Sequence, residues 1–317
     1  MDRIALFGAA GAIGGSIAAD LRKRNQPYRV VGRGRTELER AFGSDPNAEI
    51  VTWNPDDPSS VRAAAHGIGT IFYLVGVLYW QFELHPQLMR KTLEGAIAEG
   101  VKRMVLIGTV YPFGRARTER VREDHPREPH TFKGRMRKEQ EDLVLDAESS
   151  GKIHGTILRL PDFYGPGVDK SFMASAFQAA ISGGRAQLVG PIDTLHEFVY
   201  VPDVGPVALA LASEPRAYGQ AWNFAGPGAI TQRAFVEQVF REAGAKPKFI
   251  VANKTVLRVM GLFNPLMREM VEMHYLLETS VIMDDSAIHA LLGDIRKTSY
   301  EEGIRETLRL MRAVQHH

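Results

Sequence analysis

Three glycines near the amino terminus have the spacing of a phosphate-binding loop. Gly8, Gly11 and Gly14 follow an apolar run at residues 4–7 and open a stretch with helical periodicity. In a strand–turn–helix unit, the first glycine permits a tight turn, the second lets the backbone approach a pyrophosphate, and the third lets the helix pack closely. An ordinary strand–helix turn is the alternative, but the free N–H groups at a helix start favour a bound phosphate. Such a loop is typical of proteins that bind a dinucleotide through its pyrophosphate. The residues predicted to contact the dinucleotide here are Gly8, Ala10, Gly11, Ala12, Ile13 and Gly14.

Two arginines follow the second apolar run of the chain, in the segment 32–35. Folds that prefer NAD usually carry an acidic residue here, which binds the ribose hydroxyls, and this segment has none. Arg33 and Arg35 suit a 2′-phosphate instead, because a guanidinium group binds phosphate through two parallel hydrogen bonds. The sequence therefore predicts NADP in preference to NAD, and the alternative is a pair of solvated arginines in a loop.

The composition excludes several other classes of protein. The 317 residues are 44% hydrophobic and 24% charged, which is typical of soluble globular proteins, and the formal net charge is only +2. So small a charge favours neither nucleic acid nor a membrane as partner, and no apolar run is long enough to span a bilayer. The absence of cysteine removes disulfides, thiolate catalysis and cysteine-based metal sites. We expect a cytoplasmic protein with a small-molecule substrate and no metal.

Short apolar runs alternate with amphipathic stretches over the first half of the chain. This alternation predicts a doubly wound parallel sheet with helices on both faces, a Rossmann-type α/β fold. The predicted strands are residues 4–7, 29–31, 49–52, 70–75, 104–107 and 157–160. The predicted helices between them are residues 13–24, 59–65, 83–99 and 132–148.

Frequent glycine and proline break this rhythm after Leu160. We expect a dinucleotide-binding domain over residues 1–160 and a smaller, mainly substrate-binding region over 161–317, partly interleaved with the first. Helical patterns at 231–243 and 300–314 belong to this second region. No polar linker separates the two parts, so the boundary is predicted to be a crevice in one body.

Four further segments, in the right order, carry a family resemblance. Residues 67–76, 100–109, 158–167 and 198–204 are similar to motifs of the extended short-chain dehydrogenase/reductase family, in its NAD(P)-dependent epimerase/dehydratase group. The resemblance implies a homodimer that pairs through the helices at 83–99 and 132–148. It also implies cofactor contacts after the fourth strand and in the loop beside the nicotinamide, namely Leu74, Val75, Gly76, Pro161, Phe163 and Tyr164.

The same resemblance implies a non-standard catalytic set. The family uses an Asn, a Ser or Thr, and a Tyr-x-x-x-Lys pair; Thr109 matches the Ser/Thr, whereas Lys133 and Arg137 stand at the pair and Pro86 stands near the Asn position. Lys133 and Arg137 keep the i, i+4 spacing of one helix face. A cation four residues away, with partial burial, would lower the pKa of Lys133 towards neutrality. Lys133 would then exchange a proton while Thr109 orients the substrate oxygen and Arg137 holds the ribose; an exposed helix lysine is the alternative.

Aromatic and apolar residues surround this predicted site. Tyr111 and Tyr164 compete for the acid/base role, although a phenol needs activation and each is more simply a wall of the pocket. In sugar-nucleotide members of the family an Arg that binds diphosphate stands where this chain has His196, so the resemblance argues against such a substrate. Phe172 adds to the apolar character, and the predicted substrate contacts are Tyr79, Trp80, Tyr164, Met173 and His196.

These observations predict an NAD(P)-dependent oxidoreductase or redox-dependent epimerase or isomerase. Its substrate would be a small, fairly apolar carbonyl compound, because large apolar pockets with few polar groups bind such molecules. The alternative is a protein that binds NADP as a sensor or partner and has lost turnover, since the usual Tyr and Asn are missing.

Overall fold

The computed structural model describes residues 2–169, 171 and 173–315. Its strands, in chain order, are β1 (Ile4–Phe7), β2 (Tyr28–Gly32), β3 (Ala48–Thr52), β4 (Thr70–Tyr73), β5 (Arg103–Thr109), β6 (His154–Leu160), β7 (Asp162–Tyr164), β8 (Ala186–Val189), β9 (Leu195–His196), β10 (Phe198–Tyr200), β11 (Ala221–Asn223), β12 (Ile230–Thr231) and β13 (Phe249–Ala252).

The helices of the described chain alternate with these strands at first and then cluster towards the carboxyl end. They are α1 (Ala12–Lys23), α2 (Arg35–Phe42), α3 (Pro58–Ala65), α4 (Leu84–Ala98), α5 (Phe132–Ser149), α6 (Ala174–Ser182), α7 (Val201–Ser213), α8 (Gln232–Glu242), α9 (Lys254–Met260), α10 (Pro265–Met273), α11 (Tyr275–Glu278), α12 (Ser286–Leu292) and α13 (Tyr300–Gln315).

Seven strands form one parallel sheet in the order β11-β6-β5-β4-β1-β2-β3. Both faces of this sheet are covered, which is why β1 and β4 are apolar and buried throughout rather than alternating. Leu6 packs on the face covered by α1 and α7, whereas Phe7 packs on the face covered by α3, α4 and α5. The predicted doubly wound, Rossmann-type fold is confirmed.

The strand order reverses beside β1, which pairs with β2 on one side and β4 on the other. In open α/β sheets, ligands bind in the crevice at the carboxyl ends of the strands at such a reversal. The glycine loop starts directly after β1, and therefore lies at this point of the sheet.

The chain beyond Leu160 returns to the large sheet rather than remaining outside it. Strand β11 pairs with β6, and α7 packs so closely on α1 that a Cβ at Gly205 would lie 2.5 Å from the Ser16 carbonyl oxygen. Three two-stranded sheets, β7 with β10, β8 with β13 and β9 with β12, build the smaller region. Its core joins α6, α8 and α13 around Phe235.

Within the first 160 residues, one described α-helix was absent from the sequence prediction. Helix α2 begins at Arg35, in the segment that was interpreted as a loop. Only Leu38 and Phe42 of this short helix are buried, so its apolar periodicity is too brief to stand out.

Candidate active site

The chain turns sharply after β1 at a residue that has to be glycine. Gly8 has a φ of +87°, and a Cβ there would lie 2.7 Å from the backbone of Leu74 and Val75. The Leu74 N–H donates to the Phe7 carbonyl oxygen at 2.8 Å, which holds the segment after β4 against the loop. The predicted cofactor contacts Leu74 and Val75 thus lie beside the glycine loop, with exposed Gly76 next in the chain.

Gly11 leaves an open space in front of α1. No described atom lies within 4 Å of a Cβ built on Gly11, whereas a Cβ on Gly14 would lie 2.1 Å from the Ala9 carbonyl oxygen. Gly11 caps α1 without a side-chain hydrogen bond from any described residue, so the first N–H groups of the helix face this space. A diphosphate fits such an arrangement of open space and unpaired donors.

A cleft of about 490 Å³ leads away from this loop. It is lined by Ala10, Gly11 and Ala12 at one end, and Pro166 and Gly167 border it from the loop after β7. The other residues of the predicted phosphate loop, Gly8, Ile13 and Gly14, shape the turn and the start of α1.

The two predicted phosphate-binding arginines differ in their surroundings. Both are exposed, but Arg35 donates from Nε to Glu39 Oε1 at 2.7 Å within α2. Arg33 forms no ion pair with any described residue, and it directly follows β2. Arg33 is therefore the more available of the two for an added phosphate group.

A second cavity, of about 150 Å³, lies at the carboxyl ends of β5 and β6. Its polar groups come from Thr109, Tyr111, His85, Arg137 and Asp162. Its apolar walls are Phe82, Val110, Leu160, Pro161 and Phe163. The segment of residues 161–167, which includes β7, borders both cavities. Its first three residues line this cavity, and its last two residues line the cleft at the glycine loop.

Thr109 and Tyr111 are fixed side by side in this cavity. The Thr109 hydroxyl accepts a hydrogen bond from the Tyr111 N–H at 3.3 Å, and the hydroxyls of Tyr111 and Tyr79 lie 3.3 Å apart. Burial raises the pKa of Tyr111 to about 12, with a further contribution from the charge of Asp162. The phenol therefore remains protonated at neutral pH and can donate a hydrogen bond.

Arg137 reaches the cavity from α5 and is held at two points. Its Nη2 donates to the Ile107 carbonyl oxygen at 3.0 Å, and its Nη1 lies 3.2 Å from His85 Nδ1. Burial and the charge of Arg137 hold the pKa of His85 well below its usual range, so this imidazole is neutral, and its Nδ1 accepts a hydrogen bond from the guanidinium N–H. His85 precedes Pro86, near the position of the family's Asn, and the sequence analysis did not single it out.

Lys133 has surroundings that the sequence did not indicate. Its side chain is 1% exposed, and Nζ lies 2.5 Å from Glu269 and 2.6 Å from Glu272, both on α10. The same ammonium lies 5.0 Å from the centre of the Tyr79 ring. The sequence predicted a neighbouring cation and partial burial for this lysine, but not the two carboxylates that hold its ammonium. The alternative of an exposed helix lysine is contradicted by its burial.

Asp162 is, after His85, the second polar group of this cavity that sequence reasoning missed. It is accessible through the cavity, and no described side chain forms a hydrogen bond or ion pair with it. The protein that surrounds it on other sides raises its pKa to about 6 through desolvation. Its place inside the motif at 158–167, one residue after Pro161, was the available signal.

The remaining predicted substrate contacts do not share this cavity. Tyr164 is 1% exposed and packs against Phe177 and Phe235 in the core of the smaller region, contrary to the expectation that it faces the ligands. Met173 is 1% exposed in the same core, for the same reason. Both face inward because the apolar cluster of that region is built around them. Phe172 lies outside the described residues.

His196, Tyr79 and Trp80 have three different placements. His196 is buried, and desolvation lowers its pKa to about 4, so it supplies no positive charge for a diphosphate at neutral pH. Tyr79 is partly buried beside Lys133, whereas Trp80 is largely exposed. Of these residues, Tyr79 alone contacts a group of the second cavity, through Tyr111.

The parallel sheet, the glycine turn and the uncapped start of α1 define a Rossmann-type nucleotide-binding protein. The chain belongs to the NAD dependent epimerase/dehydratase family, whose model matches residues 4–225. The family consists of NAD-dependent enzymes, and the predicted membership is confirmed. None of the described helices is both long and apolar enough to cross a membrane.

Two curated relatives match about three quarters of the chain. One is the dTDP-6-deoxy-L-talose 4-dehydrogenase (NAD(P)(+)) of Kitasatospora kifunensis, 26% identical over 76% of this chain and 79% of the relative. The other is a probable dTDP-4,6-dihydroxy-2-methyloxan-3-one 4-ketoreductase of Streptomyces antibioticus, 24% identical over 76% and 77%.

Solved structures with the same fold cover almost the whole chain. The dTDP-glucose 4,6-dehydratase of Bacillus anthracis in complex with NAD has a TM-score of 0.82 at 13% identity, covering 100% of this chain and 98% of its own. The dTDP-glucose 4,6-dehydratase DesIV of Streptomyces venezuelae, with NAD bound, has a TM-score of 0.80 at 18% identity, covering 99% and 98%. At these identities the likeness shows the fold.

Proposed function

We propose that this protein is an NADP-dependent oxidoreductase that interconverts a carbonyl group and an alcohol on a mainly apolar substrate. The observation that carries the proposal is the segment of residues 161–167, which borders both the cleft at the glycine loop and the cavity lined by the carboxyl group of Asp162. When bound, the dinucleotide would supply a hydride to the carbonyl carbon, or accept one from the alcohol carbon.

The residues of the second cavity supply the remaining chemistry. Tyr111, protonated at neutral pH, donates a hydrogen bond to the substrate oxygen, and Thr109 orients that oxygen from the other side. Asp162 gives its proton to this oxygen during reduction and takes the proton back during oxidation. Arg137, fixed by His85 and the Ile107 carbonyl, holds the ribose of the dinucleotide.

The sequence alone assigned the proton transfer to Lys133, and its contacts favour a different role. An ammonium held by Glu269 and Glu272 anchors α10 beside the cavity, and it supports the Tyr79 ring and thereby the Tyr111 hydroxyl. Asp162 is the acid/base group that lines the cavity itself, whereas Lys133 is not part of that lining. The proposal therefore assigns catalysis to Asp162 and positioning to Lys133.

The substrate class follows from the walls of the cavity. Phe82, Leu160 and Phe163 offer apolar surface, and His196, which stands at the family's diphosphate position, is buried and neutral. These features favour a carbonyl compound without a diphosphate. A dTDP-linked keto sugar is the second candidate, because both curated relatives are named for acting at position 4 of a dTDP-linked compound.

A pair of glycine variants tests the cofactor site. Gly11→Ala places a methyl group in the open space, at an extended backbone (φ −82°, ψ 168°) that alanine adopts freely. Gly15→Ala is the matched comparison: its Cβ also meets no described atom within 4 Å, and it borders the same cleft one helical turn further from the free N–H groups at the start of α1. We expect NADPH affinity in calorimetry to fall at least tenfold in Gly11→Ala and to stay within about twofold in Gly15→Ala. Neither variant should melt at a lower temperature, and Gly15→Ala should melt slightly higher because alanine favours a helix interior more than glycine does.

Turnover distinguishes the proposal from its alternatives. NADPH oxidation would be followed with apolar ketones, aldehydes and enones, and in parallel with a dTDP-linked 4-keto sugar. Turnover of the apolar compounds supports the proposal, and turnover of the dTDP sugar alone supports the second candidate. Tight NADPH binding without turnover of either group would support a cofactor-binding sensor, and absence of NADPH and NADH binding would overturn all three.

A further inference from the structure

The exposed apolar surface of the described chain is concentrated in one short segment. Of the twelve large apolar residues with exposed side chains, eight lie between positions 250 and 266, where they form β13, α9 and the start of α10. Leu262 and Phe263, at the tip between the two helices, are 77% and 88% exposed. We name α9, α10 and the tip between them (residues 254–273) the helical hairpin.

The two helices of the hairpin are capped and packed against each other. Asn253 caps α9 by accepting from the Val256 N–H, and Asn264 caps α10 by accepting from the Leu266 N–H at 2.9 Å. The helices cross so closely that a Cβ on Gly261 would lie 2.9 Å from the Arg268 Cα. The tip residues are thus held outward by the backbone, with no described core to cover them.

The sequence on both sides of this tip is rich in cations. Residues 245–268 contain no Asp or Glu, and the cations in this stretch are Lys246, Lys248, Lys254, Arg258 and Arg268. Lys254 is paired with Glu278 and Arg268 lies 3.4 Å from Glu269, whereas Arg258 forms no ion pair with a described residue. In a chain with a net charge of only +2, this stretch carries an excess of positive charge beside the apolar tip, of which Glu269 and Glu278 offset a part.

We propose that the helical hairpin docks this protein onto a phospholipid surface with anionic headgroups. The exposed side chains of Leu262 and Phe263 suit insertion into the interface of a bilayer, and the cations of the same stretch of sequence suit negative headgroups. A second copy of the same face is disfavoured, because two stretches with an excess of positive charge repel each other. The sequence-based expectation of no membrane partner was drawn from the net charge of the whole chain, which hides this local asymmetry.

The hairpin also lies against the candidate active site. The inward side of α10 carries Glu269 and Glu272, which hold Lys133 beside Tyr79. Trp80, which follows Tyr79 in the chain, is 44% exposed, and Phe132, which precedes Lys133, is 42% exposed. A docked hairpin would place the cavity next to the lipid, where apolar carbonyl compounds concentrate.

Vesicle co-sedimentation tests the docking, independently of any turnover. The full chain would be mixed with vesicles of phosphatidylcholine alone, and with vesicles that also contain phosphatidylglycerol. We expect at least tenfold tighter binding to the anionic vesicles, weakened by salt because the headgroup attraction is screened. The double variant Leu262→Ser/Phe263→Ser should bind at least tenfold more weakly than the unaltered chain.

Two controls keep the result interpretable. Leu195 is a leucine outside the hairpin that is 47% exposed. The variant Leu195→Ser should therefore bind vesicles as tightly as the unaltered chain does. Circular dichroism and NADPH affinity of the tip variant should be unchanged, because both tip side chains are mostly in solvent. The proposal would be overturned if the tip variant bound anionic vesicles as tightly as the unaltered chain, or if the unaltered chain did not bind them. Self-association that the tip variant abolishes without lipid would assign the surface to a protein interface instead.

Discussion

Asp162 is expected to set the pH dependence of turnover. With a pKa of about 6 it is mostly ionised at pH 7, so reduction, which needs the protonated acid, should slow as the pH rises through 6. Oxidation needs the carboxylate and should speed up over the same range. In Asp162→Asn we expect both profiles to become flat around pH 6, with rates lower by about 10²-fold or more.

Lys133 provides the comparison for that experiment. Lys133→Arg keeps a cation between Glu269 and Glu272 but cannot exchange a proton at neutral pH. If Lys133 only positions α10 and Tyr79, this variant should keep the pH profile of the unaltered protein with modest changes in KM. A lost rate in Lys133→Arg together with an unchanged profile in Asp162→Asn would return the acid/base role to the lysine.

Arg33 is expected to determine the preference between NADP and NAD. Arg33→Ser removes an exposed guanidinium that no described carboxylate holds, and a lost charge-assisted hydrogen bond to phosphate should weaken NADPH binding by about 10- to 100-fold. NADH affinity should stay the same. Arg35→Ser, which removes a guanidinium already paired with Glu39, should have a smaller effect. Equal losses for both coenzymes would show that Arg33 does not read the 2′-phosphate.

At the scale of elements, the sequence predicted best what depends on local pattern. The strands at 4–7 and 48–52 and the long helix at 132–149 were found to within a few residues, because the spacing of their apolar residues marks them. Contacts between distant elements leave no such mark. Lys133 meets Glu269 and Glu272 across 136 and 139 positions, so the sequence showed a lysine on a helix but not the two carboxylates that hold it.

The join between α5 and β6 rests on a buried ion pair. Glu141 accepts from Arg159 Nη2 at 2.7 Å and from Nε at 3.0 Å, both side chains are 2% exposed, and Arg127 lies 3.2 Å from the same carboxylate. The Arg159 guanidinium also lies 4.7 Å from the centre of the Phe113 ring. Removing one partner of such a pair leaves a buried charge without compensation.

We therefore expect Glu141→Ala to lower the free energy of unfolding by about 3–5 kcal/mol. The double variant Glu141→Ala/Arg159→Met should lose clearly less than the sum of its single variants, because it leaves no charge stranded. Urea denaturation followed by circular dichroism measures both. Strict additivity would mean that the pair contributes no coupling. Glu94→Gln, on the exposed side of α4, serves as the control and should change stability by less than about 0.5 kcal/mol.

At the scale of the whole molecule, Glu197 gathers segments that are far apart in the chain. It is 4% exposed between β9 and β10, and its Oε2 accepts from the Met283 N–H at 3.0 Å. Burial and the nearby charge of Asp285 raise its pKa to about 7, although Lys297 and Arg120 favour its ionised form. The folded protein thus binds a proton here at pH values where the unfolded chain has released it.

This difference fixes the sign of a pH effect on stability. Because the folded pKa lies above the unfolded value of 4.5, the stabilisation from this group is complete below pH 4.5 and is lost as the pH rises through 7. Neighbouring His196, whose pKa is lowered to about 4, acts in the opposite direction between pH 4 and 6.5, so only a comparison with a variant isolates Glu197. Between pH 4.5 and 8, the free energy of unfolding of the unaltered protein should fall by up to about 3 kcal/mol more than that of Glu197→Gln, which has no carboxyl group at this position. Urea denaturation across that range measures the loss, and parallel curves for the two proteins would mean that Glu197 titrates in the folded state as it does in the unfolded chain.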